Sequence, residues 1–155
     1  MRSVRALIAD ESPVMRRWYA AALQKLAEEV EECENGWDLL VHLSEDRPCD
    51  LVVASRSLPG LSGAQILAML RAADARVPFV LVAPFCDGSV RSLVRRVSDA
   101  ALIEDSLDAV RLAEVAEALV TAGPARESET EKVRRAIALV TRARAPGPRR
   151  KRALG

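Results

Sequence analysis

The chain has 155 residues, half of them hydrophobic, enough to build one domain with a full core and to exclude a disordered or fibrous chain. Aromatic residues make up only 3%, so the core is aliphatic and no base-stacking surface is expected. The net charge of +1 hides an asymmetry, because residues 141–155 hold six Arg or Lys and no acid, which leaves residues 1–140 at −5.

Apolar runs of strand length alternate with helical segments from the start of the chain. "VRALIA" (4–9) reads as a strand that meets Asp10 and Glu11. Ser12 and Pro13 then supply an N-cap and a first-turn proline for a helix through "VMRRWYAAALQKLAEE". "EVEEC" (29–33) is the most polar strand and belongs near an edge. Gly36 opens a second helix, "WDLLVHL", with Leu39, Leu40 and Leu43 on one face. "LVVAS" (51–55) ends on Ser55, and Ser62 caps "GAQILAMLRAAD". "FVLVA" (79–83) ends on Ala83, and a helix after Gly88 carries Val90, Leu93, Val94 and Val97. "AALI" (100–103) delivers Glu104, after which Ser106 caps a fifth helix carrying Leu107, Val110, Ala113, Leu119 and Val120. Five strands separated by helices define an α/β fold with a doubly wound five-stranded parallel sheet covered on both faces.

The domain should span 1–122, because Gly123 and Pro124 interrupt the pattern and open a linker over 123–128. Ser128 and Glu131 form a capping box for an amphipathic C-terminal helix over 129–143, whose stripe of Val133, Ile137 and Val140 is too short to stand alone in water. It needs a surface on this domain, on a partner, or on a second copy in a homodimer. Residues 144–155 have the composition expected of a disordered basic tail. No stretch reaches the roughly 18 apolar residues of a membrane span, so a cytoplasmic protein is expected. Cys33, Cys49 and Cys86 are scattered, lack a C-x-x-C pair and accompany a single histidine, His42. They indicate neither a disulfide framework nor a zinc site and read as small apolar packing residues.

In a doubly wound sheet, ligands sit outside the carboxyl ends of the strands. Those ends place Asp10, Glu11, Ser55, Ala83 and Glu104 along one edge. With "LIADESPVMRR" and "DLVVASRSLPGLSG" as its strongest matches, the chain resembles the response-regulator receiver domain of two-component signalling from residue 4 to about 121. The resemblance implies the flavodoxin-like strand order 2-1-3-4-5. It further implies that Asp10 and Glu11 correspond to the acidic pair that holds Mg²⁺, and that Pro59 and Gly63 correspond to the loop after the third strand. A carboxylate at the end of the third strand, a Ser or Thr after the fourth and a Lys after the fifth complete the family's phosphorylation site.

Three of those positions depart from the family: the acceptor position is Ser55, the hydroxyl position is Ala83, and the lysine position is Glu104, followed by Asp105. The aromatic residue usual in the fifth strand is also missing, with Ala101 in its place. A serine hydroxyl needs a general base, which the acceptor carboxylate does not. Glu104 replaces an attractive charge with a repulsive one for a phosphoryl group, and Ala83 removes the hydroxyl that reports its arrival. No cofactor is expected; Asp10 and Glu11 could bind Mg²⁺ only weakly, since two side chains leave most of the coordination to water. Arg56 is expected to turn back over the edge and pair with Glu104, Asp10 or Glu11.

These residues point to a stand-alone pseudo-receiver in phosphorelay signalling, independent of phosphorylation and acting through a protein partner. The resemblance places its partner face on the fourth helix, fifth strand and fifth helix, with Arg91, Arg95, Arg96, Asp105, Asp108, Arg111 and Glu114. No enzyme is expected, because no G-x-S-x-G elbow surrounds Ser55 and His42 falls on the second helix, away from the edge. The alternative is a nucleic-acid-associated regulator using Arg149, Arg150, Lys151 and Arg152, supported by Arg142 and Arg144; the acidic domain and the scarcity of aromatics weigh against it.

Overall fold

The three central strands are mainly apolar because both of their faces are covered. The computed structural model describes residues 3–124 and 126–144. Its strands are β1 (Arg5–Ala9), β2 (Glu29–Cys33), β3 (Leu51–Ser55), β4 (Phe79–Val82) and β5 (Ala100–Ile103). All pair in parallel in the order β2-β1-β3-β4-β5. Between them run α1 (Pro13–Ala22), α2 (Gly36–Leu43), α3 (Gly63–Ala72) and α4 (Gly88–Arg96), with α5 (Ala109–Ala122) and α6 (Arg126–Arg144) after β5.

Alternation along each strand divides the core in two. Leu7, Val52 and Leu81 pack with α2, α3 and α4, while Ile8, Val53, Val80 and Val82 pack with α1 and α5. The edge strand β2 can be polar because a buried cation satisfies it. The Arg5 guanidinium donates to Glu31 Oε2 at 2.9 Å, Glu45 Oε2 at 3.2 Å and the Arg47 carbonyl at 3.1 Å. Among the described residues no helix is long and apolar enough to cross a membrane.

Several boundaries differ from the sequence expectation. The first helix ends at Ala22 instead of continuing through "LQKLAEE", and two tight turns follow, in which Leu26 and Ala27 N–H return to the Leu23 carbonyl. The chain must reach Val4, whose carbonyl accepts from Glu28 and Glu29 N–H, to begin β2 in register. Asp108, not Ser106, caps α5, its side chain accepting from Arg111 N–H. The preceding residues are held in a turn in which Asp105 Oδ1 accepts from Leu107 N–H at 3.0 Å.

The sixth helix starts at Arg126, so Ser128 lies inside it and is not its cap. Its apolar stripe is covered by the domain itself. Val133, Ala136 and Ile137 are buried in the cluster built from α2 and α3. The nearly buried Glu129 carboxylate accepts the Arg76 backbone N–H at 2.7 Å, and Arg134 pairs with Asp46 at 2.6 Å. A second copy is therefore not needed to cover this helix. The tail residues Arg149, Arg150, Lys151 and Arg152 lie outside the described residues.

Candidate functional site at the carboxyl edge of the sheet

The parallel register brings the ends of β1, β3, β4 and β5 to one edge, as the sequence reading required. Asp10 leaves β1 almost buried, and both of its oxygens are engaged inward. Oδ1 accepts the Ser12 N–H at 2.8 Å, and Oδ2 accepts the Tyr19 hydroxyl at 2.8 Å. Burial and then the hydrogen bond to Asp10 push the Tyr19 phenol upward, so it remains the donor. Glu11 is exposed, and the Arg16 guanidinium lies across both acids. Its Nη1 donates to the Asp10 carbonyl at 2.8 Å and the Glu11 carbonyl at 3.3 Å, while Nε pairs with Glu32 at 3.1 Å.

Ser55 ends β3 half-buried, with its Oγ accepting the Ser57 N–H at 3.2 Å. No imidazole or carboxylate is within hydrogen-bond reach of it among the described residues, so it lacks the base a serine nucleophile requires. Ala83 is fully buried, with its N–H donating to the Ile103 carbonyl at 2.9 Å.

Glu104 is not left as an open negative charge. Arg91 of α4 donates to its Oε1 through Nη2 at 2.6 Å and Nε at 3.1 Å, and the Cys86 thiol donates to the same oxygen at 3.2 Å. The Arg91 hydrogen bond holds the Glu104 carboxyl below its ordinary range. The expectation for Arg56 is corrected here, since its partner is Asp87 of the β4–α4 loop at 3.6 Å and not Glu104, Asp10 or Glu11. Arg91 already pairs with Glu104, and Arg16 holds the backbone carbonyls of Asp10 and Glu11, while Arg56 reaches Asp87.

The resemblance implies that Asp10 and Glu11 would hold Mg²⁺. Asp10 has both oxygens engaged by Ser12 and Tyr19, β3 ends on the alcohol of Ser55, and the Arg16 guanidinium lies against the carbonyls of Asp10 and Glu11. The residues do not fit a resident Mg²⁺. Tyr19 was missed in the sequence because nothing local ties a tyrosine on α1 to Asp10. Asp87 and Cys86 were missed for the same reason, although Asp87 before Gly88 was readable as a helix cap. Tyr19→Phe leaves Asp10 Oδ2 without its buried partner and is expected to cost roughly 1–3 kcal/mol. The check is a lower urea midpoint at unchanged slope; an unchanged midpoint would show that the hydroxyl contributes nothing.

The profile of the response regulator receiver domain family matches residues 6–96, and the chain belongs to that family. The match covers Asp10, Glu11, Ser55 and Ala83 and stops before Glu104. Similar solved structures include the response regulator receiver protein from Sinorhizobium medicae WSM419, at 20% identity and TM-score 0.68, covering 78% of this chain and 97% of that one. The signal receiver domain of a signal transduction histidine kinase from Syntrophus aciditrophicus is 22% identical at TM-score 0.64, covering 77% of this chain and 91% of that one. The Vibrio cholerae chemotaxis protein CheY4 is 16% identical at TM-score 0.64, covering 76% and 99%. At these identities the likeness shows the fold. No curated protein sequence matches the chain.

Proposed function

We propose that this receiver domain acts in the cytoplasm as a signalling component that works without phosphorylation, performs no catalysis, and delivers its output by docking a protein partner on the face of α4, β5 and α5. The observation that carries the reading is the closed edge. The position of the phosphoacceptor is a serine without a base, and the position of the phosphate-binding cation is an anion already paired to Arg91. The Arg91–Glu104 and Arg56–Asp87 pairs tie α4 and the β4–α4 loop to the edge.

The face beside it has the chemistry of a docking surface. Arg91, Val94, Arg95, Leu102, Glu104 and Arg111 line an open groove of about 340 Å³, apolar at Val94 and Leu102 and predominantly cationic at its rim. Phe85 is fully exposed and held in a left-handed backbone conformation at φ 59°, and Leu107 and Val110 are also exposed. A basic, partly apolar groove, with an exposed aromatic on the β4–α4 loop, suits an acidic segment with apolar anchors.

The reading is tested by incubating the native chain with a small phosphodonor and Mg²⁺ and measuring its intact mass. No change is expected. A hydroxylamine-sensitive gain of one phosphoryl group would overturn it.

A further inference from the structure

The β2–α2 corner holds donor atoms that the receiver edge does not use. Cys33, the last residue of β2, is fully buried. Asp38 and His42 lie one turn apart on α2 and share a face. His42 Nδ1 is 3.6 Å from Cys33 Sγ and 3.7 Å from Asp38 Oδ1, and the three donor atoms all fall within 4.8 Å of one another. A tetrahedral ion at about 2.3 Å from sulfur and about 2.0–2.1 Å from nitrogen and oxygen holds those atoms roughly 3.3–3.6 Å apart. The two His42 separations are within a few tenths of an ångström of that range.

We propose that Cys33, Asp38 and His42 form a binding site for a zinc-class divalent ion, with solvent at the fourth position. On the far side of the ring His42 Nε2 lies 3.9 Å from Glu31 Oε2, beyond hydrogen-bond reach, and that oxygen already accepts from Arg5 at 2.9 Å. In the metal-free protein Nδ1 must carry the ring proton, because it meets the Asp38 carbonyl at 2.9 Å and a carbonyl can only accept. Metal binding therefore replaces the hydrogen bond from Nδ1 to the Asp38 carbonyl, and the ring proton moves to Nε2. Burial pushes the Cys33 thiol up to about 12, so the free protein carries the thiol. Binding forms the metal–sulfur bond and releases that one proton to solvent, with no change in oxidation state.

The donor set selects the ion. One thiolate, one imidazole and one carboxylate suit zinc or cobalt and not Mg²⁺. The neighbouring group of Glu31, His42 and Glu45 is a poorer cation site, since the Arg5 guanidinium already lies against both carboxylates at 2.9 and 3.2 Å.

The test is titration of the full chain with Co²⁺, followed by Zn²⁺. One equivalent of Co²⁺ should produce a thiolate-to-cobalt charge-transfer band in the near ultraviolet, which Zn²⁺ then bleaches. Cys33→Ser should lose the band, while Cys49→Ser and Cys86→Ser titrate as the native chain does. Because Cys33 is buried, the partly exposed Asp38→Asn gives a second arm; it should bind Co²⁺ at least about tenfold more weakly with unchanged circular dichroism. No band at stoichiometric Co²⁺, a band that survives Cys33→Ser, or equal affinity in Asp38→Asn would each overturn the site.

Discussion

Combining Ser55→Asp, Ala83→Thr and Glu104→Lys is expected to yield a chain that gains one acid-labile phosphoryl group from a small phosphodonor and Mg²⁺, where the native chain gains none. Each change supplies a separate requirement. A carboxylate at position 55 is a nucleophile at neutral pH without a base, and it adds an oxygen ligand at the edge. A hydroxyl at position 83 gives the incoming oxygens a donor beside β4. A cation at position 104 reverses the sign of the field the phosphoryl group meets and releases Arg91 from its carboxylate partner. The hydrogen bond from Tyr19 to Asp10 at 2.8 Å still limits the metal in the triple variant. Adding Tyr19→Phe should therefore raise the phosphorylation rate by at least about tenfold, if freeing that oxygen lowers the barrier by about 1.4 kcal/mol or more. Intact mass against time measures both effects. A quadruple variant that stays unmodified would show that the edge is closed by something other than these four side chains.

The largest expected loss of stability comes from a single methyl group. Gly36 opens α2 with its N–H donating to the Pro59 carbonyl at 3.0 Å. A Cβ there would lie 2.1 Å from the Leu61 carbonyl oxygen and 2.7 Å from Leu61 Cβ. The obstruction is backbone, so no rotamer change relieves it, and α2 must move away from the β3–α3 loop. Gly36→Ala is expected to destabilise the domain by about 3 kcal/mol or more. Gly88→Ala is the matched control, because a Cβ there meets nothing within 4 Å at the start of α4; it should be neutral or stabilising by up to about 1 kcal/mol. Urea unfolding of the two variants side by side tests the difference. Equal midpoints would mean that α2 does not make this close approach.

"LVVAS" and "FVLVA" could be read as strands because burial on both faces demands unbroken apolar runs, and "EVEEC" as an edge because an edge tolerates charge. Ser12 with Pro13, and Ser62, were readable as helix starts because a cap acts within three residues of itself. The α5 start was misread because Asp105, Ser106 and Asp108 are all competent caps, and only the turn they form picks one. The end of α1 was misread because "LQKLAEE" keeps helical spacing beyond the point where the chain must turn toward β2.

The sequence alone determined the alternation of strands and helices and the placing of Ser55, Ala83 and Glu104 at positions that reach the carboxyl edge. The tertiary structure decided which groups meet there: Arg91 with Glu104, Arg56 with Asp87, Tyr19 with Asp10. It also decided that α6 lies on its own domain, and it brought Cys33 from a strand beside Asp38 and His42 from a helix, three residues that read separately as packing and surface. The division has one physical cause. Periodicity and capping act over a few neighbouring residues, so they are written along the chain, whereas an ion pair or a ligand set depends on distances of a few ångströms between elements that only packing brings together.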